Sequence, residues 1–302
     1  MKFGCLKEKT MPKTVKHLSE TDIRTEGSEQ TILRASREDQ RPWIVGAPLC
    51  SALLRYKILH MGEARMCPPF EIVRSKLGGS YFLACREGEG RVLVDGRWKA
   101  CCPGQAFLLS AGTLHAFHSA PSSDWSFCWV RFEEDAFNPT VAEPNSPVLA
   151  SFNGEVLRHA ILGLYHEVIN QGRPEMEGLW SALVFRYIQD FAKPQLLDFR
   201  LVRLFAAVEG SIGESWNNKR MAQSACLSER QLERICLREL GRTPRQHLIW
   251  LRMHQAAKLL SKGEHKIESI AAEVGYQNPF AFSATFKRCM GWPPSEYRVL
   301  QA

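Results

Sequence analysis

The stretch IAAEVGYQNPFAFSATFKR, residues Ile270–Arg288, contains two helical patterns separated by a glycine. One face of the first helix is apolar and consists of Ile270, Ala271 and Val274. Gly275 is the residue type that commonly ends a helix. Asn278 followed by Pro279 is a typical helix start, because the asparagine side chain accepts a hydrogen bond from the first turn and proline fits the first helical position. The stretch therefore predicts a helix–turn–helix unit.

The second helix of this unit has two faces of different character. The face that can pack on the first helix holds Phe282, Phe286 and Cys289. The outer face holds Phe280, Ser283, Ala284, Lys287 and Arg288. A helix that reads the DNA major groove needs one anchoring side and one small or cationic side. A single unit of this kind is also a common helical hairpin, so it is weak evidence alone.

The pattern recurs some fifty residues earlier, in MAQSACLSERQLERICLREL, residues 221–240. Ser228 is the predicted cap of the second helix. Its outer face carries Arg230, Glu233, Arg234 and Arg238. Arginine can donate two hydrogen bonds to guanine or pair with phosphate, and glutamate can accept from cytosine. Each charge alone is compatible with a solvated helix face, but two such units in sequence favour DNA binding.

The segment between the units, TPRQHLIWLRMHQAAKLLSKG, predicts one helix from Pro244 to Gly263. A helix of that length spans about 25 to 30 Å. It would separate the two reading helices by nearly one DNA turn, about 34 Å, so that both can enter successive major grooves. Residues 200–302 contain 16 Lys+Arg and 9 Asp+Glu, whereas residues 1–199 contain 23 of each. The basic third of the chain is therefore expected to meet a polyanion.

These segments resemble the DNA-binding domain of the AraC-type transcription regulators over about 80 contiguous residues. The positions at the family's spacing are Leu232, Gly241, Arg252, Ala256, Ile270, Ala271, Gly275, Phe282, Phe286, Lys287, Pro294 and Arg298. The chain departs from the family at Cys226, where glycine is usual, and at Pro279, Phe280 and Ala284, where polar groups are frequent. Together with the helical faces, the resemblance implies that Arg230, Glu233 and Arg234 read bases. The second unit is expected mainly to hold the DNA backbone, with Phe280 against a thymine methyl group.

The N-terminal half has a different texture, with short apolar runs between glycines and prolines. The predicted strands are Tyr81–Cys85, Gly90–Val94, Arg97–Cys101, Ala106–Ser110, His115–His118 and a strand within DWSFCWVRFE, residues 124–133. Asp95-Gly96 is a strong hairpin turn. On the last strand Trp125, Phe127 and Trp129 share one face, with Arg131 next in the alternation. Many short antiparallel strands predict a sandwich or small barrel.

This segment resembles the cupin-like sensor domain of the same family. Metal-binding cupins hold the ion with an H-x-H motif that is missing here, which leaves His115 and His118 alone. No metal site, cofactor or catalytic residue is therefore expected. The resemblance implies an effector pocket in which Arg74 bonds to hydroxyl groups and Trp129 stacks on a sugar. Trp129 is equally compatible with a core aromatic.

Other positions of the expected pocket are less like those of sugar-binding relatives. Phe117 and Phe127 stand where the relatives have polar residues, which weakens the case for a sugar in the same pose. His115, His118 and Trp43 are weaker candidates for effector contact.

Two amphipathic helices follow, in EVLRHAILGLYHEVI and EGLWSALVFRYIQDFAKP. Their apolar stripes are Leu157, Ile161, Leu164 and Val168 on the first and Leu179, Leu183, Tyr187 and Phe191 on the second. The helices either cover the barrel or form a subunit contact. Pro194 is expected to end the pair.

The predicted fold is α+β and multidomain: a cupin-like β-barrel with flanking helices, then an all-α domain of two helix–turn–helix units. The predicted limits are a mobile arm at 1–40, the barrel at 41–150, the helical pair at 151–194 and the DNA-binding domain at 195–302. The N-terminus lacks the apolar segment of a secretion signal, and no run of about 18 uncharged apolar residues occurs. The ten cysteines are scattered, as expected for buried thiols in a reducing cytoplasm.

The sequence is thus interpreted as a cytoplasmic, homodimeric transcription regulator that binds double-stranded operator or promoter DNA and a small-molecule effector. A sugar is one candidate effector, and RNA polymerase is an expected partner. Effector binding would shift the population of DNA-binding arrangements. Two alternatives remain open: a cupin-fold enzyme with secondary DNA binding, and an effector-independent DNA-binding protein with an inactive barrel.

Overall fold

The N-terminal half forms two antiparallel sheets in a computed structural model that describes residues 20–75, 78–134, 137–193, 198–263 and 265–301. The strands are β1 (Thr21–Ile23), β2 (Glu29–Arg34), β3 (Ile58–Met66), β4 (Glu71–Arg74), β5 (Tyr81–Glu87), β6 (Gly90–Val94), β7 (Arg97–Cys101), β8 (Gln105–Leu109), β9 (His115–Ser119), β10 (Trp125–Phe132) and β11 (Leu149–Ser151). One sheet has the order β1-β4-β9-β6-β7 and the other β11-β8-β5-β10-β3-β2. The sheets face each other as a flattened barrel, as predicted.

Strand β10 lies inside the larger sheet and is buried on both faces. Trp125, Phe127 and Trp129 point between the sheets, where they join an aromatic interior. Cys128, Val130 and Phe132 point to the other side and pack under helices. This double burial explains the nearly continuous apolar run in DWSFCWVRFE.

The prediction of a mobile arm at residues 1–40 is wrong for the part that forms strands β1 and β2. Strand β2 pairs antiparallel with β3 from Glu29↔Arg65 to Arg34↔His60, and Ile32 and Leu33 are buried. Strand β1 pairs with β4. Asp22, Glu29 and Gln30, polar residues of the kind that suggested an arm, are exposed on these edge strands. Residues 1–19 lie outside the described part of the chain.

Helices α1 (Gly154–Asn170) and α2 (Pro174–Ala192) cover the outer face of the six-stranded sheet. The predicted stripe of α1 is buried at Leu157, Ile161 and Leu164. On α2 the predicted stripe is wrong at Leu179 and Leu183, which are 63% and 37% exposed. Phe191 of the predicted stripe is buried as expected, but the helix is rotated so that Ser181, Val184 and Ile188 are buried in place of Leu179 and Leu183.

The C-terminal part is helical throughout its described residues. Its helices are α3 (Phe199–Gly210), α4 (Asn218–Ser224), α5 (Glu229–Leu240), α6 (Pro244–Ser261), α7 (Ile267–Glu273), α8 (Pro279–Met290) and α9 (Pro294–Gln301). The pairs α4–α5 and α7–α8 are the two predicted helix–turn–helix units, and α6 is the predicted connecting helix. All pack around one apolar cluster. Pro194, the predicted end of the helical pair, lies outside the described residues.

The turns of the two units share an unusual backbone conformation. Gly275 between α7 and α8 has φ +83°, which glycine adopts without steric cost. Cys226 occupies the equivalent turn between α4 and α5 with φ 53°, in the left-handed region. The family's usual glycine at this position therefore has a backbone reason, and this chain adopts the same turn with a cysteine that carries some strain.

The barrel and the helical part share a direct contact at the β6–β7 hairpin. Arg242, two residues before α6, donates to both carboxylate oxygens of Asp95 in the hairpin turn, at 2.8 and 3.2 Å. Lys99 Nζ donates to the carbonyl oxygen of Gly241 at 2.6 Å. The amide of Leu114 donates to the carbonyl oxygen of Met290 at 3.0 Å. The two parts are thus docked through charged and backbone hydrogen bonds.

Candidate nucleic-acid interface and barrel cavity

Helix α5 presents the outer face of the first unit to solvent. Arg230, Glu233, Arg234 and Arg238 are all exposed. Arg238 forms an ion pair with Glu239 along the helix. The structure records no ion pair for the other three within the described residues. The guanidinium groups of Arg230 and Arg234 are therefore available to a polyanion.

The opposite side of α5 holds this face in place. Leu232, Ile235 and Cys236 are buried against the core of the helical part. At the N-terminus Ser228 and Gln231 form a capping box, in which each side chain bonds to the backbone of the other residue. Gly241 ends the helix in the left-handed conformation. Both ends and the inner face of the candidate reading helix are therefore defined.

Helix α8 presents the outer face of the second unit, and its two ends differ in exposure. Phe280 at the N-terminal end is 86% exposed, and the Asn278 side chain caps this end by accepting from the amides of Phe280 and Ala281. Ser283 is half-buried. Toward the C-terminal end, Ala284, Lys287 and Arg288 line a cavity of about 460 Å³ between α8 and the barrel. The barrel therefore approaches the C-terminal half of the predicted contact face, which the sequence did not indicate.

A separate cavity of about 370 Å³ opens within the barrel, between the two sheets. All five predicted effector residues line it: Arg74, His115, Phe117, Phe127 and Trp129. The weaker candidate Trp43 lines it too. His118 does not lie among the lining residues and packs edge-on against Trp98 instead.

Trp129 is held by the barrel itself. Its Nε1 donates to Nδ1 of His60 at 3.1 Å, and its side chain is 2% exposed. Burial, followed by the charges of Arg41 and Arg131, holds the pKa of His60 well below its ordinary value. A neutral imidazole fits the acceptor role of Nδ1. Trp129 is thus both a core aromatic and part of the cavity wall.

His115 is also neutral and fixed. Its Nε2 lies 2.9 Å from the carbonyl oxygen of Ser110. Burial, with a smaller effect from the charge of Arg131, lowers the pKa of His115 to about 3. The ring can donate one hydrogen bond to the carbonyl but does not carry charge at neutral pH.

Several cavity residues were not predicted as effector contacts. Arg24, Arg41, Tyr81, His60 and Arg131 line the same space. Arg131 follows Trp129 by two residues on β10, so strand alternation places both on the inner face, and this signal was present in the sequence. Arg24 and Arg41 lie in or beside the segment interpreted as an arm, so no local pattern indicated their place.

Within the described residues, no group of three or more His, Cys, Asp or Glu side chains is arranged to hold a metal ion. The same residues include no helix with the length and apolarity needed to span a membrane.

Two family models match the chain. Residues 80–179 match the AraC-like ligand binding domain, and residues 221–299 match a helix-turn-helix domain. The first match covers strands β5 to β11, helix α1 and the first turn of α2. The second covers both helix–turn–helix units.

Among curated proteins, the arabinose operon regulatory protein of Escherichia coli is 27% identical over 238 residues, which cover 70% of this chain and 77% of that protein. The MmsAB operon regulatory protein of Pseudomonas aeruginosa is 24% identical over 279 residues, or 83% and 88% of the two chains. Among solved structures, ToxT from Vibrio cholerae is 16% identical, with a TM-score of 0.40. The matched region covers 80% of this chain and 97% of the ToxT chain.

Proposed function

The chain belongs to the AraC family of transcription regulators, and on that premise we propose that a small molecule in the barrel cavity controls how its two helix–turn–helix units bind DNA. It is a DNA-binding regulator with an N-terminal ligand-binding domain. The main support for the proposed DNA contact is the outer face of α5. Arg230, Glu233 and Arg234 are exposed there, and the two guanidinium groups form no ion pair within the described residues. Such groups are suited to base edges and phosphates.

The roles proposed for the two units differ. Arg230, Glu233 and Arg234 on α5 read bases, and Arg238 contacts the backbone. On α8, Lys287 and Arg288 hold phosphates, while Phe280, Ser283 and Ala284 supply apolar or small contacts. The 86% exposure of Phe280 supports this role, since an exposed aromatic ring is available to a thymine methyl group.

The barrel cavity is the proposed effector site, with Arg74, His115, Phe117, Phe127 and Trp129 in its wall. The proximity of the barrel to α8 supports coupling between this site and DNA binding, since a change in barrel packing would act directly on the second helix–turn–helix unit. A ligand that prefers one arrangement of the two parts would shift their population.

A second copy of the chain is the proposed partner for helix α2. Leu179 and Leu183 are exposed one helical turn apart, outside the covering layer of the barrel. Apolar side chains in such positions favour a helix–helix contact between subunits. We propose further that the dimer acts in the cytoplasm together with RNA polymerase, as control of transcription requires.

Replacing Arg234 with alanine is expected to relax sequence preference by about 1–3 kcal/mol, because a bidentate donor to a base edge is lost. The measurement is fluorescence anisotropy with the DNA upstream of the protein's own gene and with random DNA, at two salt concentrations. Arg65→Ala is the control, since Arg65 is also an exposed arginine but lies on β3, outside α2 and both helix–turn–helix units. The control is expected to keep the wild-type preference and salt dependence.

The proposal fails if wild type binds random DNA as tightly as every genomic fragment tested. It also fails in its assignment of the reading helix if Arg234→Ala and Arg65→Ala behave alike.

A further inference from the structure

The barrel cavity has a cationic wall. Four arginines line it, namely Arg24, Arg41, Arg74 and Arg131, whereas Glu20 is its one lining carboxylate among the described residues. An excess of buried positive charge is costly unless each cation has an anionic partner. The pairing of each arginine therefore indicates what else the cavity accommodates.

Three of the four arginines have carboxylate partners within the protein. Arg24 pairs with Asp22 at 2.7 Å. Arg74 pairs with the same Asp22 at 2.5 Å and with Glu20 at 3.5 Å. Arg41 pairs with Asp39. The acidic side chains beside the cavity are thus already engaged.

Arg131 is the exception. Within the described residues it forms no ion pair, and its guanidinium donates only to the backbone carbonyl oxygens of Gly79 and Ser80, at 2.7 and 3.4 Å. Burial, followed by the positive charges of Arg41 and Arg74, lowers the pKa of Arg131 to about 10, although Tyr81 and Glu134 act in the opposite direction. The guanidinium is therefore held in a place that disfavours its charge.

Glu134, two residues beyond the end of β10, favours the charged form of Arg131 but forms no ion pair with it. Glu134 accepts from the backbone amides of Thr140, Val141 and Ala142, at 2.7, 2.9 and 3.2 Å. Its oxygens are used to hold the loop after β10. An anion that pairs with Arg131 must therefore come from outside the described chain.

The remainder of the cavity is suited to an apolar body. Phe70, Phe117, Phe127 and Trp129 form much of its wall. Trp43, another lining residue, has its buried Nε1 without a hydrogen-bond partner. The volume of about 370 Å³ lies near the lower end of ligand cavities, about 300–1,000 Å³, so the ligand is small.

We propose that the barrel cavity binds a small organic carboxylate with an apolar or aromatic body, whose carboxylate pairs with Arg131 while its body lies against Phe117, Phe127 and Trp129. This inference rests on the proposed function, in which the cavity is the effector site. A neutral sugar fits the cavity less well. It leaves the charge of Arg131 without a partner, and its hydroxyl groups would lie against phenylalanines that offer no hydrogen bonds.

The test compares carboxylic acids with their own amides, which have nearly the same shape but no charge. The probes are 3-phenylpropanoate and 4-methylpentanoate with the corresponding amides, and D-glucose and L-arabinose as neutral sugars. Binding to the full chain is measured by calorimetry at pH 7.5 and constant ionic strength. Each acid is expected to bind at least about tenfold more tightly than its amide, a difference of about 1.4 kcal/mol.

Two variants test whether Arg131 causes the preference for acid over amide. Arg131→Gln keeps a donor for the Gly79 carbonyl but removes the charge, so it is expected to abolish the preference for acid over amide. Arg65→Gln is the matched control and should keep the preference, because Arg65 is exposed on β3, pairs with Asp124 and lies outside the cavity lining. The acid–amide comparison in wild type needs no variant, so it stands even if Arg131→Gln folds poorly.

The inference is overturned if no acid of the set binds, if acids and amides bind equally, if a neutral sugar binds more tightly than the acids, or if Arg131→Gln retains the preference. Fluorescence anisotropy with DNA on the same samples distinguishes failure of the carboxylate inference from failure of the proposed DNA-binding function. Specific DNA binding without carboxylate binding overturns only the carboxylate inference. Absence of any DNA preference overturns the proposed function, whatever the cavity binds.

Discussion

Replacing Asp95 with asparagine is expected to lower the free energy of unfolding by about 3–5 kcal/mol, the cost of leaving one partner of a buried ion pair alone. The side chain of Arg242 is 4% exposed, and its guanidinium donates to both Asp95 oxygens. The same group stacks on Trp250 at 4.4 Å, so it cannot easily turn to solvent. Asparagine is the suitable replacement because position 95 has φ 51°, which asparagine tolerates.

The measurement is denaturant unfolding of the full chain followed by tryptophan fluorescence. Asp124→Asn is the matched control, because its carboxylate also pairs with an arginine, Arg65, but at the surface, where the side chains are 57% and 36% exposed. Loss of such a surface pair is expected to cost less than about 1 kcal/mol. Equal losses in the two variants would contradict the docking of the β6–β7 hairpin on the helical part.

The elements that local sequence patterns describe were predictable. Strands β6 and β7 follow from the short apolar runs on either side of the Asp95-Gly96 turn. The start of α8 follows from Asn278 and Pro279, and the structure shows the expected cap. These features depend on neighbours within a few residues, so a single sequence contains the needed information.

The features that the sequence did not indicate depend on distant contacts. The buried face of α2 is decided by its partners on α1 and the barrel, and its broad apolar arc fits several rotations. The place of β2 in the larger sheet depends on pairing with β3, about thirty residues away. The contact of Asp95 with Arg242 joins residues 147 positions apart. No periodicity within one segment specifies such pairs.

The candidate sites divide in the same way. The outer faces of α5 and α8 were predictable because one helix contains all their residues. The wall residues Phe117, Phe127 and Trp129 were found by resemblance and alternation. The cationic character of the cavity could not be predicted from the sequence. Arg24 and Arg41 come from segments before β3 and lie near Arg131 only in the folded barrel.

Lowering the pH from 6.5 to 5 is expected to destabilise the folded chain strongly through three buried histidines. Burial is the main cause that holds the pKa values of His60 and His247 well below the ordinary value and lowers that of His115 to about 3. Below pH 6.5 the unfolded chain binds protons at these rings and the folded chain does not, so the free energy of unfolding falls as the pH falls. Each histidine contributes about 1.4 kcal/mol per pH unit, and three contribute about 4.

Denaturant unfolding at pH 7.5, 6.5, 5.5 and 5.0 measures this slope, in a range above the ordinary carboxyl pKa values of about 4. His115→Gln is expected to flatten the slope by about one third, since glutamine can still donate to the Ser110 carbonyl but does not titrate. His166→Gln, at an exposed position of α1, is the control and should leave the slope unchanged. Equal slopes in wild type and His115→Gln would mean that His115 takes up a proton in the folded state. The barrel around it would then have to open or supply an anionic partner, which contradicts the buried, uncharged state of His115 described above.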